Sequence, residues 1–132
     1  MRVLVVDDQA INRLVLTDML SAADIEVAEA EDAFAGLELI RAQPFDLILM
    51  DIRMPGMDGY EAVQLIRKMG GGAASVPIVM VTGDVTYDCA RRATASGANR
   101  LLHKPVSMSE LFLAVAELKV PEADVSTAAT VP

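Results

Sequence analysis

The chain has 132 residues, of which 53% are hydrophobic and only 4% aromatic, and it carries a formal net charge of −8. This length suits one domain with an aliphatic core, and the acidic balance argues against direct nucleic-acid binding, because phosphate contacts need a basic patch. The short apolar runs argue against a signal peptide or a membrane span, and the single cysteine excludes an internal disulfide, so a cytoplasmic location is expected.

Short aliphatic runs alternate with helical patterns along the chain, which predicts the parallel sheet of an α/β protein. Strands are expected at 2–6, 25–29, 46–50, 77–81 and 99–103, and helices at 10–22, 33–42, 59–69, 85–96 and 108–119. Asp58 with Glu61, and Ser107 with Glu110, form capping-box patterns that start the third and fifth helices. Gly70–Gly72 is expected to end helix three in a flexible loop.

The apolar residues of the first two helices recur at helical spacing, which indicates the faces that pack on the sheet. These residues are Ile11, Leu14, Val15, Met19, Leu20, Phe34, Leu37 and Ile40. A folded domain is expected over 1–119, followed by a flexible tail over 120–132 that is rich in Pro, Ser, Thr and Ala. No second core is visible in the sequence, so we expect another molecule to read whatever this domain reports.

Polar residues stand at or shortly beyond the ends of four predicted strands. They are Asp7 and Asp8 after the first strand, Asp51 after the third, Thr82 after the fourth and Lys104 after the fifth. In parallel sheets such positions converge at the carboxyl edge, where sites form. Three crowded carboxylates repel one another by about 4 kcal/mol per close pair. A cation is therefore expected among them, and Mg²⁺ fits because it takes hard oxygen ligands and retains waters.

The motifs that carry these residues resemble the receiver domain of two-component response regulators, over about residues 1–119. The four motifs are Val5-Val6-Asp7-Asp8, the stretch from Leu49 to Gly59 (LMDIRMPGMDG), Val81-Thr82-Gly83 and Lys104-Pro105. The resemblance implies a flavodoxin-like, doubly wound (βα)5 fold with a five-stranded parallel sheet in the order 2-1-3-4-5. It also implies a cis peptide bond between Lys104 and Pro105.

The same resemblance implies a role for each site residue. Asp51 would be the phosphoacceptor, with Lys104 and Thr82 contacting the phosphoryl group. Asp8 and Asp51 would bind Mg²⁺ directly and Asp7 mainly through water. The backbone carbonyl of Arg53 would complete the protein's share of the ligands.

The function implied by the resemblance is that of a phosphoacceptor in a two-component phosphorelay. The domain would take phosphate from a histidine kinase or a histidine phosphotransfer protein, in a Mg²⁺-dependent reaction. It would then present the surface of helix four, strand five and helix five to a downstream protein, without an output domain of its own. Such a domain is not an enzyme beyond catalysing its own phosphorylation and dephosphorylation.

Two features depart from the usual family pattern or add to it. Leu101 stands where most receivers have Tyr or Phe, so the usual coupling of that aromatic side chain to Thr82 cannot operate. This departure, like the motif after Asp51, resembles relay and hybrid-kinase receivers. Arg53 and Asp84 occupy positions that flank the path of attacking water, where they could form a pair or remain separate solvated side chains.

Other interpretations of the same residues remain open. A single aspartate at a strand–helix junction is more commonly a helix cap than a ligand. An aspartate-nucleophile phosphatase is a second possibility, although its acidic residues commonly lie two positions apart whereas Asp7 and Asp8 are adjacent. A pseudo-receiver binding module is a third. His103 is expected at the surface and Cys89 in the packing of helix four.

Overall fold

The computed structural model describes residues 1–83 and 88–119. The strands are β1 (Arg2–Val6), β2 (Glu26–Ala30), β3 (Leu47–Asp51), β4 (Ile78–Thr82) and β5 (Arg100–His103). The helices are α1 (Ala10–Ser21), α2 (Ala33–Ala42), α3 (Gly59–Arg67), α4 (Cys89–Ser96) and α5 (Met108–Lys119), with a 3₁₀ turn at Gly71–Ser75. No helix in these described ranges has both the length and the apolarity needed to cross a membrane.

The five strands are parallel and lie in the order β2-β1-β3-β4-β5, which confirms the predicted topology. The predicted limits of β3 and β4 were one residue too early, because the ladder continues past the apolar run. Asp51 is paired with Val81, and Thr82 with His103. Backbone hydrogen bonding does not require an apolar side chain, so both polar residues are the last residues of their strands rather than the first residues of loops.

Helices cover both faces of the sheet, because successive strand residues point to opposite sides. One core cluster joins strand residues such as Val3, Val5 and Leu49 to α1 and α5. The other joins Leu4 and Met50 to α2, α3 and α4. Because helices cover both faces of the sheet, a functional site is expected at its carboxyl edge.

The sequence prediction of the packing face was wrong for much of α1. Ile11, Leu14 and Val15 are 62%, 53% and 45% exposed, whereas Leu16 and Leu20 are buried. The helix carries apolar residues on more than one side, and spacing alone cannot tell which side faces the sheet. In α2 the buried residues include Leu37 and Ile40, as predicted, but Phe34 is 55% exposed.

Local signals in the sequence set several helix ends. The Asp58 carboxylate accepts a hydrogen bond from the Glu61 amide, and the Glu61 side chain accepts one from the Asp58 amide. Ser107 and Glu110 exchange the same pair of bonds before α5. Gly97 ends α4 with a φ of 114°.

Several predictions about segments differ from the structure or lie outside its described part. The segment predicted as a flexible glycine loop contains the 3₁₀ turn Gly71–Ser75, and α3 ends at Arg67 instead of 69. Positions 85–87 of predicted helix four, the residue Asp84 and the tail 120–132 lie outside the described residues.

Candidate functional site

The polar residues singled out from the sequence come together at the carboxyl edge of the sheet. Asp7 and Asp8 follow β1, Asp51 ends β3, Thr82 ends β4 and Lys104 follows β5. Asp7, Asp51 and Thr82 are buried, at 1%, 5% and 1% exposure, whereas Asp8 is exposed. An open cleft lies above them, and its lining includes Asp8, Asp51, Thr82 and Lys104.

The three aspartates have the composition and spacing of a cation site. One carboxylate oxygen from each of Asp7, Asp8 and Asp51 can be chosen so that all three lie within 4.8 Å of one another. Opposite ligands of an octahedral Mg²⁺ ion are about 4.2 Å apart, given metal–oxygen distances near 2.1 Å. The 4.8 Å limit is somewhat wider than this span, so the three carboxylates are candidate ligands for one hard divalent cation that also retains water ligands.

Lys104, which follows β5, reaches the two buried carboxylates at the sheet edge. Its Nζ lies 3.0 Å from Asp51 Oδ1 and 3.3 Å from Asp7 Oδ2. Burial by itself lowers the pKa of Lys104, but its hydrogen bonds and charge interactions with Asp51 and Asp7 outweigh that effect, so the pKa is raised. The ammonium is thus firmly protonated and bridges two strand ends.

Asp51 is held in an environment that disfavours its charge. Burial is the largest cause that raises its pKa to about 6, and the Lys104 hydrogen bond opposes the rise. The charges of Asp7 and Asp8 add to it. A divalent cation beside Asp51 would offset this repulsion and favour the ionised form.

The loop from β1 to α1 fixes Asp7 without using it as a helix cap. Asp7 Oδ1 accepts a hydrogen bond of 2.9 Å from the amide of Gln9, and Gln9 is the N-cap residue of α1. The interpretation of Asp7 or Asp8 as the cap of the first helix is therefore wrong. Both carboxylates instead belong to the acidic cluster formed with Asp51.

The loop from β3 to α3 folds back on the strand end. The amide of Gly59 donates to the carbonyl of Ile52 at 2.8 Å, which brings the start of α3 against Asp51. The exposed residue Arg53 lines the cleft two positions after Asp51. Its backbone carbonyl as a metal ligand stays a prediction, as does its pairing with Asp84, which lies outside the described residues.

The ends of β4 and β5 are joined through the backbone at the site. The Lys104 amide donates to the Thr82 carbonyl at 2.7 Å, and the Lys104–Pro105 peptide is cis, as expected. Leu101 is half-buried and packs against the core, while His103 is exposed at the end of β5. Cys89 is buried in α4, which agrees with its predicted packing role.

Some residues of the site were missed in the sequence. Gln9 and Asn12 line the cleft, and Arg13 donates to the Asp7 carbonyl at 2.8 Å. The amide contact of Gln9 could have been found, because an aspartate commonly bonds the amide two residues on. The contact of Arg13 could not, because it depends on how α1 is placed relative to β1 and β2.

The fold and the site define a doubly wound α/β protein with an acidic cation-type cleft beside a lysine. Residues 3–116 match the family model described as the response regulator receiver domain. The chain belongs to this family and is a receiver domain of the two-component type.

The relatives and solved structures agree with this assignment. The chain is 34% identical over 131 residues to the sensory/regulatory protein RpfC of Xanthomonas campestris, covering 98% of this chain but only 18% of that protein. The chain thus spans less than a fifth of that relative's length.

Two solved structures are similar over almost the whole domain. The chemotaxis protein CheY4 of Vibrio cholerae is 31% identical with a TM-score of 0.83, covering 89% of this chain and 97% of that one. The receiver domain of the sensor histidine kinase PA1611 from Pseudomonas aeruginosa is 29% identical with a TM-score of 0.80, covering 89% and 96%. The latter structure has a magnesium ion coordinated in its active-site cleft.

Proposed function

We propose that this receiver domain accepts a phosphoryl group on Asp51 from a phosphohistidine of a histidine kinase or a phosphotransfer protein in the cytoplasm, with Mg²⁺ as cofactor. The observation that carries the proposal is the Lys104 ammonium 3.0 Å from Asp51 Oδ1, beside the cluster of three carboxylates. This arrangement supports Asp51 as a nucleophile with a fixed cation next to it and candidate ligands for a divalent cation around it.

The chemistry follows from that arrangement. An oxygen of ionised Asp51 attacks phosphorus and forms a P–O bond while the P–N bond to the donor imidazole breaks. The electron pair stays on the imidazole nitrogen, which takes up a proton, and the product is an acyl phosphate. The Lys104 ammonium then pairs with a phosphoryl oxygen, and the Thr82 hydroxyl donates to another.

The metal would be held by the residues already gathered at the edge. Asp8 and Asp51 would bind it directly, Asp7 mainly through water, and the Arg53 backbone carbonyl would add a further ligand. When bound, Mg²⁺ supplies positive charge that offsets the negative charge of the transferring oxygens. The domain would act on itself alone, catalysing its own phosphorylation and dephosphorylation without turning over another substrate.

The signal would leave the domain through protein contacts, with no direct role for nucleic acid or membrane. We place the receiver over residues 1–119, with 120–132 as a tail, and the downstream partner on the surface of α4, β5 and α5. Leu101 cannot provide the hydroxyl or the bulk of an aromatic switch residue, which favours relay of phosphate over switching by side-chain rotation. A phosphatase is less well supported, because Arg53 stands where an acid two residues after the nucleophile would be needed.

Intact-mass measurement tests the proposal. Acetyl phosphate with Mg²⁺ should add the mass of one phosphoryl group to the wild-type protein and none to Asp51→Asn. Omission of Mg²⁺ should abolish labelling of the wild type. A pseudo-receiver would remain unlabelled under every condition, and equal labelling of Asp51→Asn would move the acceptor elsewhere.

A further inference from the structure

Arg13 ties the first helix to the end of β1 and to β2. Its Nη1 donates to the backbone carbonyl of Asp7 at 2.8 Å, and its Nε lies 3.1 Å from Glu29 Oε1. The Arg13 side chain is 17% exposed and that of Glu29 43%. One guanidinium therefore satisfies a carbonyl at the acidic edge and a carboxylate on the neighbouring strand at the same time.

The carbonyl that Arg13 binds belongs to the peptide unit between Asp7 and Asp8. That unit is planar, so fixing its oxygen also fixes the direction in which the chain enters Asp8. Asp7 has three further restraints, because its amide donates to the Ala30 carbonyl at 3.2 Å, its carboxylate accepts from the Gln9 amide, and that carboxylate also pairs with Lys104.

Asp8 lacks comparable restraints on its own side chain. It is exposed, and within residues 1–83 and 88–119 no hydrogen bond or ion pair holds its carboxylate. Its position beside Asp7 and Asp51 is thus set by the backbone on either side of it, which is held after Asp8 by the bond from the Gln9 amide to the Asp7 carboxylate. Before Asp8, the only side chain among the described contacts that bonds the Asp7 carbonyl is that of Arg13.

We propose that Arg13 is a positioning residue for the cation site: it fixes the Asp7–Asp8 peptide so that the Asp8 carboxylate meets those of Asp7 and Asp51. Glu29 holds the guanidinium in place and balances its charge, which would otherwise oppose a nearby cation. The inference rests on the proposed function, because it assumes that the three aspartates bind Mg²⁺.

Charge alone and positioning predict opposite effects of removing Arg13. If the guanidinium acts only as a nearby positive charge, its loss removes repulsion and Mg²⁺ binds more tightly. If it positions Asp8, its loss weakens binding although a positive charge has gone. The direction in which the Mg²⁺ dissociation constant changes therefore separates the two accounts. A general loss of stability would not by itself weaken Mg²⁺ binding by protein that is still folded.

Isothermal titration of metal-free protein with MgCl₂ provides the test, using the wild type and four variants checked for folding by circular dichroism. Arg13→Met should raise the Mg²⁺ dissociation constant by on the order of tenfold, as loss of a residue that orients a ligand commonly does. Arg13→Lys retains the charge but has one donor nitrogen in place of three, and should recover part of that loss. Arg41→Met, which removes an exposed arginine at the end of α2, should leave the constant unchanged.

The remaining variant separates failure of the proposed metal site from failure of the positioning role of Arg13. Asp8→Ala should lose Mg²⁺ binding if the proposed site is right; wild-type binding in this variant would overturn the metal site, and the role of Arg13 with it. If Asp8→Ala loses binding while Arg13→Met binds as tightly as the wild type, or more tightly, only the positioning role is overturned. Should Arg13→Met fail to fold, wild-type affinity in Arg13→Lys overturns the requirement for the guanidinium fork.

Discussion

A Cβ atom placed on Gly59 would lie 2.4 Å from the backbone carbonyl oxygen of Asp51. It would also lie 2.8 Å from the Cα of Ile52. Both neighbours are backbone atoms and cannot turn aside, so the start of α3 and the end of β3 can approach this closely only with glycine at the helix start. The position of Asp51 and the start of α3 are therefore one structural unit.

Gly59→Ala should destabilise the protein because the added methyl group forces this unit apart. Overpacking of this kind costs about 1–3 kcal/mol of unfolding free energy, measurable by urea denaturation. Gly72→Ala is the matched control, because a Cβ at Gly72 meets nothing within 4 Å. Equal unfolding free energies for the two variants would show that the contact between α3 and β3 has room to relax.

Mg²⁺ should raise the melting temperature of the metal-free protein, because it binds the three clustered aspartates only when they are folded together. At a concentration about 100 times the dissociation constant the gain is about 2.7 kcal/mol. Asp8→Ala should abolish the rise, whereas Asp18→Ala, which removes an exposed acid of α1, should retain it. A full rise in Asp8→Ala would place the metal elsewhere.

Ionised Asp51 should destabilise the metal-free fold near neutral pH. Burial is the main cause that raises the pKa of its carboxyl from 3.8 to about 6, so between these values the folded state holds a proton that the unfolded state has lost. Stability due to this group is greatest below its unfolded pKa and falls as pH rises through 6.

Asp51→Asn lacks this titration, which gives a direct comparison. Its unfolding free energy minus that of the wild type should increase by on the order of 3 kcal/mol from about pH 4 to pH 7.5 in buffer with a chelator. Lys104 stays protonated over this range because its pKa is raised, so it contributes a constant difference. A difference independent of pH would contradict the raised pKa of Asp51.

Lys104→Ala should prevent a change at Asp51 from altering the structure of α4 and β5. The ammonium contacts Asp51 and Asp7, and the Lys104 amide bonds the end of β4, so this residue is placed to transmit a change at Asp51 to β5. Beryllium fluoride with Mg²⁺, a mimic of the acyl phosphate, should shift amide NMR signals of α4 and β5 in the wild type and in the exposed-lysine control Lys68→Ala. In Lys104→Ala those shifts should be lost. If Lys104→Ala shows the same shifts as the wild type, Lys104 does not transmit the change at Asp51 to β5.

The convergence of the acidic residues could be predicted from the sequence because it follows from period and chain direction, whereas the sheet order was implied by the resemblance to receiver domains. Strand ends of a parallel sheet must meet at one edge, so Asp7, Asp51 and Thr82 could be brought together without coordinates. The boundaries at Asp51 and Thr82 were one residue early because apolar side chains, and not the hydrogen-bond ladder, marked the strands.

Contacts that depend on the packing of a helix could not be predicted. Arg13 reaches Asp7 and Glu29 only because α1 turns Leu16 and Leu20 toward the sheet, and the sequence offered Ile11, Leu14 and Val15 equally well. Arg67 is similar, since its guanidinium bonds the carbonyls of Gly97 and Val76 and no sequence pattern links these positions. Tertiary placement decides such contacts.

The most direct test of the phosphoacceptor assignment is chemical mapping of the labelled residue. Wild-type protein treated with acetyl phosphate and Mg²⁺, then reduced with borohydride, should yield by peptide mass spectrometry a single modified residue, homoserine in place of Asp51. Hydroxylamine treatment before reduction should remove the label, as expected of an acyl phosphate. Modification at Asp7, Asp8 or any other residue, with Asp51 unchanged, would contradict the account.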